Sequence, residues 1–463
     1  MIKGSKLITC EVLLATVGTS LAAVHYVDVN STNPAPPYTS WAAAATNIQD
    51  AVDAAVAGDE IVVTNGIYAT GGRAASGVIT VAETNRVLVE KPLTVRSVNG
   101  PQFTMIDGGG SVRCVALTNG VTLSGFTLTN GLGNGGGGAY GGTVNNCWLN
   151  GNRAYGADGF PGVGGGALDA TLNNCTLQGN SADVGGGAYR GTLNNCTLKA
   201  NAAADGGGAA GGSLNNCTLT ENSATARGYQ SGGAAGSVLR NCILYQNFPG
   251  PDFPLRATGD FDGYCSLDHC CTTARADGFG NITNAPLFVD AADGNLRLQS
   301  NSPCINAGNN AFAARATDLD RNPRISAGTV DIGAYEFQSP TSIISYAWLQ
   351  QYGLPADGSA DYADPDGDGM NNWGEWRCGT DPTNALSALR LLAPVAAGTN
   401  VFVSWQSVAG VNYFLERSTN LVVSSAFTAV ATSIPGVPGT TSYTDTNAVG
   451  VGPRFYRVGV SSP

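Results

Sequence analysis

Thr192-Leu193-Asn194-Asn195-Cys196-Thr197-Leu198 is the stretch on which the fold turns. Its centre, Asn-Asn-Cys-x-Leu, also occurs at Asn145–Leu149, Asn173–Leu177 and Asn215–Leu219, with a degenerate copy at Arg240–Leu244. The cysteines are separated by 28, 21, 21 and 25 residues. An Asn stands three positions after each Leu: Asn152, Asn180, Asn201, Asn222 and Asn247. A glycine run precedes each copy, from 135–138 to 232–233, and an Ala follows every run. Twenty-one residues are too few for a helical pair but suffice for one coil of short strands and turns. The Asn pair reads as a corner, because Asn tolerates left-handed backbone angles and bonds its own backbone. Cys196 and Leu198 then face the core and Thr197 faces water. Stacking at ~4.8 Å puts Cys147, Cys175, Cys196, Cys217 and Cys242 in one buried column, as small hydrophobes. Asn152, Asn180, Asn201 and Asn222 form a second column, an amide ladder. Asn174, Asn195 and Asn216 each open an N-x-T sequon, for which the corner role suffices.

Composition agrees. The 463 residues include 64 Gly, and only 12% are charged, against the usual ~25%. No three-residue glycine period exists, which excludes collagen, and 43% hydrophobic residues argue against disorder. A net charge of -11 leaves no basic footprint for nucleic acid. Lys3 and Lys6 followed by an apolar stretch to Ala23 read as a signal peptide over 1–23, although Glu11 interrupts it. No other apolar run is long enough for a transmembrane helix. The mature protein is expected to be secreted or at the cell surface.

The Gly-Gly-Ala segment paired with Leu-x-x-Asn, over about 130–250, resembles the repeat of polymorphic outer-membrane proteins, with Leu in place of Phe. That resemblance implies a right-handed parallel β-helix. Upstream, Tyr26–Asn30, Asn47–Val52, Ala57–Val63 and Gly66–Tyr68 are similar to the N-terminal cap of pectin-lyase-like β-helices, over 24–70, with a short helix from Ile48 to about Ala57. Downstream, Pro286–Asp290, Ser302–Gly308, Asp318–Arg324 and Asp331–Glu336 resemble the choice-of-anchor Q domain, over 280–337. That resemblance implies a cap on the β-helix near an attachment module. The whole β-helix spans 24–337.

β-Helices of the pectin-lyase-like class often cut acidic polysaccharides, but the residues for it are not evident here. A hydrolase needs two carboxylates about 5–10 Å apart, and a lyase needs a base beside calcium. The polygalacturonase-like Asn-Thr-Asp, Asp-Asp and Gly-His-Gly motifs are missing. Asp158, Asp169, Asp183 and Asp205 fit glycine-turn positions. Lys91 fits a strand edge and Lys199 an exposed strand position; Arg321-Asn322-Pro323-Arg324 reads as a turn. His25 lies at the signal junction. Cys265, His269, Cys270 and Cys271 invite zinc, but their spacing fits no standard site. A disulfide among Cys265, Cys270, Cys271 and Cys304, or reduced core thiols, are the other readings.

Asp364-Pro-Asp366-Gly-Asp368-Gly369-Met370-Asn-Asn372-Trp-Gly-Glu375 matches the twelve-residue calcium loop. Asp364, Asp366, Asp368, the Met370 carbonyl, Asn372 and Glu375 are the expected ligands. A helix over 341–353 precedes the loop, and a second begins at Glu375. The segment 341–386 resembles dockerin and thrombospondin type 3 calcium repeats, here as a single loop that implies a stapled linker. Residues 387–463 alternate polar and apolar over about six strands and are similar to fibronectin type III modules, a β-sandwich. The expectation is therefore an exported, mainly β protein for adhesion or polysaccharide binding, with calcium as its cofactor and a cell-surface glycan as partner. A divergent polysaccharide lyase or glycoside hydrolase is the alternative, with no catalytic residue assigned.

Overall fold

The computed structural model describes residues 22–74, 83–157, 159–226, 231–250, 259–274, 277–421, 427–446, 448 and 453–460. The expected signal segment falls almost wholly outside them, as does Asp158. The chain forms a parallel β-solenoid, followed by a small helical segment and two antiparallel sheets. Among the described residues, the solenoid sheets hold sixteen, nine and five strands. Register follows the repeat: Leu172 pairs Leu193, Leu193 pairs Leu214, and Leu177 pairs Leu198.

Asn146, Asn174, Asn195, Asn216 and Asn241 all have φ between 50° and 53°, so the Asn pair does turn the chain. Cys196 and Leu198 are fully buried on the inner side. The Cys column has a sixth member. Asp268 pairs with Arg240, which places His269 at the corner (φ 50°) and Cys270 under Cys242. Leu267-Asp268-His269-Cys270-Cys271 is thus a further, disguised repeat and not a zinc motif. Cys270 points inward, while Cys271 lies in a separate apolar cluster and its Sγ donates to Asn284 O at 3.2 Å. All eleven described cysteines are free thiols, although Cys271 and Cys304 share that outer cluster.

The inner amide column is continuous. The Asn152, Asn180, Asn201 and Asn222 backbone and side-chain N–H groups each donate to the Oδ1 of the next coil's Asn, at 2.9–3.1 Å. Each Nδ2 also donates to the carbonyl of a Leu in an earlier coil, such as Leu177 O from Asn201 at 3.0 Å. The column ends on Asp260, which accepts from Asn247 N and Nδ2 at 3.2 and 3.0 Å. A second, outer amide ladder runs Asn215 to Asn194 to Asn173 to Asn145, at 2.8–3.0 Å.

α1 spans Ile48–Ala54, capped by Asn47 Oδ1 accepting from Asp50 N at 2.9 Å. Lys91 Nζ donates to the Asp53 and Ala55 carbonyls at its other end. His25 is buried and pairs with Asp59 at 2.9 Å.

Residues 286–337 lie along the solenoid's flank, against the outer side of the later strands of the nine-stranded sheet. Lys199 Nζ donates to Ala291 O at 2.9 Å, Asn195 Nδ2 to Thr317 O at 2.6 Å, and Ala334 N to Thr218 Oγ1 at 3.1 Å. Thr197, expected to face water, is only 4% exposed for this reason. Lys199 is likewise not an exposed strand residue; its side chain is 15% exposed and pairs with Glu221. Ile243 and Cys271 point outward into an apolar cluster with Leu298, Cys304, Ile305 and Ile332. Residues 321–324 do make a turn, with Arg321 at φ 70°. Arg324, however, is buried beneath it. Its Nη2 donates to Asp331 O and Gly333 O, both at 2.8 Å, and Glu336 lies 3.8 Å away. Asp318, Asp331 and Glu336 are buried around that one cation.

At the C-terminal end, two three-stranded antiparallel sheets share a core of Val403, Trp405, Tyr413, Leu415 and Ile434.

Two predictions follow from burial. Asn201→Ala removes a donor pair and an acceptor from a dry column, so it should cost about 3 kcal/mol or more. Asn194→Ala, on the outer ladder, should cost about 1 kcal/mol; calorimetric unfolding of both variants compares them. Burial also raises the Asp331 and Glu336 carboxyls, and Asp331's charge raises Glu336 further. The folded state therefore binds more protons than the unfolded state above the ordinary carboxylate range. The stabilisation is complete below the ordinary carboxylate range and is lost as pH rises from there through the elevated values, by up to about 1.4 kcal/mol per pH unit per proton. Melting temperature measured from pH 5 to pH 9 should decline, and Glu336→Gln should flatten the decline.

Candidate functional site

Among the described residues, the glycine-turn aspartates of the solenoid serve its turns, and burial, with the nearby Asp262 charge, raises the Asp205 carboxyl. Asp183 Oδ2 accepts from Gly162 N at 2.7 Å and Asp205 Oδ1 from Ser231 N at 3.3 Å, so both serve turns as expected. Asp169, at φ 53°, pairs with Arg190 at 2.6 Å. The outer side of the long sheet over 143–215 presents Thr, Ser and Asn, with Leu168 and Tyr189 further along the same strands, and its Asn amides are bonded to one another. Arg324 is buried and cannot reach a substrate as a base.

The acidic loop is built as its spacing requires. α2 spans Tyr346–Gln351, with Gly353 at φ 66° ending the segment. It starts later than expected because Ser342 and Ile343 instead bond Asp361, at 2.6 and 3.1 Å. α3 spans Asn372–Cys378, three residues earlier than expected, because Asn371 Oδ1 caps it by accepting from Gly374 N at 2.9 Å. Gly379, at φ 70°, stops it.

Between the helices, the ligand oxygens of Asp364, Asp366 and Asp368 come within 4.8 Å of one another. Asp364 accepts from Gly367 N and Gly369 N at 2.9 and 3.0 Å. Asp366 Oδ1 and Asp368 Oδ1 accept from Asp368 N and Met370 N at 3.2 and 2.8 Å. These bonds bend the loop around its acidic side chains. Asp366 Oδ2, Asp368 Oδ2 and both Glu375 oxygens are buried without a hydrogen-bond donor. Burial, and then the three Asp charges, push the Glu375 carboxyl up to about 7. Four orphaned carboxylate oxygens in one place are costly unless a cation meets them. The donor set, all oxygen and strongly anionic, fits a hard divalent cation. Asn372 is buried; its Nδ2 donates to Ala360 O at 2.8 Å and its Oδ1 has no donor. Met370 follows Gly369 in the loop, with its Sδ accepting from Leu389 N at 3.2 Å.

Beside this loop lies a cleft of about 980 Å³, where the last coil, the helical segment and the terminal sheets meet. Trp348 on α2 and Trp376 on α3 stand in its wall, with Phe279 half exposed opposite the sandwich loop at Gly410. Arg377 lies 5.9 Å from the ring centres of both Trp373 and Trp376. Asn281, Asn284, Gln350, Gln351 and Asn412 supply amides to the lining. Asp268 is the one carboxylate there, held 2.5 Å from His269 Nδ1. The His269 ring packs between Phe279 and Phe312, and Gly280 covers its Nε2 edge. This cleft was not visible in the sequence. Its walls come from residues up to about 190 positions apart, and its one local signal is the Trp pair flanking the loop.

No protein-family model matches the chain, and no curated protein is similar to it. The resemblances noted above therefore stand on their quoted residues alone. Among solved structures, the chain is similar to pectate lyase Pel9A, at 15% identity and TM-score 0.41, covering 69% of this chain and 97% of that one. It is also similar to a rhamnogalacturonan lyase, at 11% and 0.29, covering 54% and 68%. A pectin methylesterase mutant in complex with a hexasaccharide gives 11% and 0.25, covering 55% and 71%. The fold assignment rests on the strand register, not on these likenesses.

Proposed function

We propose that this is an exported protein, secreted or held at the bacterial outer surface, that binds polysaccharide without cleaving it and takes calcium in the 364–375 loop. The observation that carries this reading is the cleft of Trp348 and Trp376. Aromatic faces cover the apolar faces of a sugar ring, and amides bond its hydroxyls. A single carboxylate, Asp268, cannot act as both acid and base or acid and nucleophile in glycoside hydrolysis. The choice-of-anchor Q-like segment and the terminal sandwich serve adhesion as supports of the cleft, and attachment to the envelope is indirect.

A lyase is the second reading, and one observation favours it. Burial lowers the Arg377 guanidinium below its ordinary value, and Arg377 stands near the acidic loop. An arginine of lowered pKa beside a cation is the base that β-elimination from a uronate needs.

Two measurements test the proposal. Titration calorimetry with calcium should find one site, lost in Asp366→Asn. Calcium at about 100 times its Kd should stabilise the protein by about 2.7 kcal/mol. On a glycan array, Trp348→Ala should weaken retention about tenfold or more, the usual effect of truncating a buried aromatic anchor. Trp41→Ala, at the N-terminal end, should not. Unsaturated-product absorbance from any uronate polymer, lost in Arg377→Lys, would replace binding with lyase chemistry.

A further inference from the structure

We infer that the cleft takes a neutral glycan and that occupancy of the acidic loop sets its affinity for that glycan. The inference rests on the binding reading above and adds to it a ligand class and a control.

The ligand class follows from the charges in the wall. Apart from Asp268, His269 and Arg377, the lining is aromatic, aliphatic, amide, hydroxyl or small. Asp268 is committed to His269, and Arg377 to the two indole faces. The chain's net charge of -11 repels a polyanion. What remains to select a ligand is the half-exposed Trp348 ring and the part of Trp376 not under Arg377, with amides around them. That combination recognises uncharged pyranose rings through C–H faces and hydroxyls.

The control follows from covalent and hydrogen-bonded continuity. Glu375, which carries two of the four orphaned oxygens, is the residue before Trp376 on α3. Trp373 lies inside the loop, and Arg377 joins its ring to that of Trp376. The start of α3 is pinned by Asn372 N to Ala363 O at 2.8 Å and Trp373 N to Asp361 O at 2.9 Å. Asp361 in turn holds Ser342 and Ile343, just ahead of α2 and Trp348. Both tryptophans of the cleft are therefore fastened to the two flanks of one acidic loop. Without a cation, four buried carboxylate oxygens repel one another and draw water, and the flanks separate. With a cation they close, and the two indoles are held at one spacing. On the far side Gly379 packs on Val408 and Val411, so the same helix also seats the terminal sheets.

The full chain is titrated with cellohexaose, mannohexaose, xylohexaose and galactohexaose, with polygalacturonate as the anionic comparison. Each titration is run in 1 mM calcium chloride and in EGTA, while tryptophan fluorescence and calcium calorimetry are followed separately. At least one neutral hexasaccharide should bind, and EGTA should weaken it about tenfold, within the usual range of coupling between sites. Saturating sugar should tighten calcium by the same factor, since linkage is reciprocal. Trp348→Ala should weaken sugar binding about tenfold or more and leave calcium binding intact. The wild-type EGTA arm keeps the test valid if Asp366→Asn or Glu375→Gln fails to fold. Calcium binding with a sugar Kd unchanged within twofold in EGTA would overturn the control and leave the binding reading standing. Preference for polygalacturonate would overturn the ligand class. Binding of no polysaccharide under either condition would remove the binding reading, and this inference with it.

Discussion

Successive coils touch backbone to backbone at the glycine runs, and this contact governs the rest of the molecule. A Cβ on Gly187 would stand 2.4 Å from Gly208 O, and one on Gly186 would stand 2.3 Å from Ala202 O. Any side chain there would force the coils apart. Because the coils can close, the Asn of each one reaches the Asn of the next with both N–H groups, and the Cys column fills the space between. The amide column then fixes register. A slip would leave several buried donors and acceptors unmet at once, each costing about 1–3 kcal/mol. Repeat length need not be constant under this constraint. The seven additional residues of the coil between Cys147 and Cys175 bulge outward around Tyr155 and Phe160, which are exposed, and the register resumes.

What could be read in the sequence was whatever recurs at coil spacing. The corner at Asn195, the inward Cys196 and Leu198, and the amide column are set by contacts repeated at one period, and the period is visible. The sixth coil escaped notice because every residue of its motif but Cys270 is changed: Asp268 and His269 stand where other coils have Asn. Asp260 escaped because it lies in a loop, although it supplies the acceptor that ends the amide column. The acidic loop was legible for a different reason. Its expected ligands lie within twelve consecutive residues, and spacing alone was enough to anticipate that Asp364, Asp366 and Asp368 converge.

The flank and the cleft were illegible because their contacts cross the chain. Asn195 meets Thr317, 122 residues away, and Thr218 meets Ala334, 116 residues away. Alternation correctly put Thr197 on the outer side of its strand, but being outside the solenoid does not mean facing water once a second layer covers that side. The apolar outer side chains Ile243 and Cys271 were the available sign that something packs there. The same layer explains Arg324. A turn residue by sequence, it becomes the single cation around which Asp318, Asp331 and Glu336 gather when the turn is pressed against the sheet.

The flank also closes off the outer side of the later strands of the nine-stranded sheet. On the long sheet the outer Asn amides bond one another, and Tyr140 and Tyr189 stand on the same outer side under Arg113 and Arg190. At the C-terminal end the ladder stops, the last coil offers Phe279 and His269, and the helical segment brings two tryptophans against them. That junction combines open aromatic surface with amides from three parts of the fold. It also adjoins buried oxygens of Asp366, Asp368 and Glu375 that meet no hydrogen-bond donor, with Arg390 4.0 Å from Asp368. The solenoid core is neutral, and its stability comes from stacking. The end of the chain is ionic: acidic side chains of the 364–375 loop are buried together, and their repulsion is what its hydrogen-bonded turns must hold against.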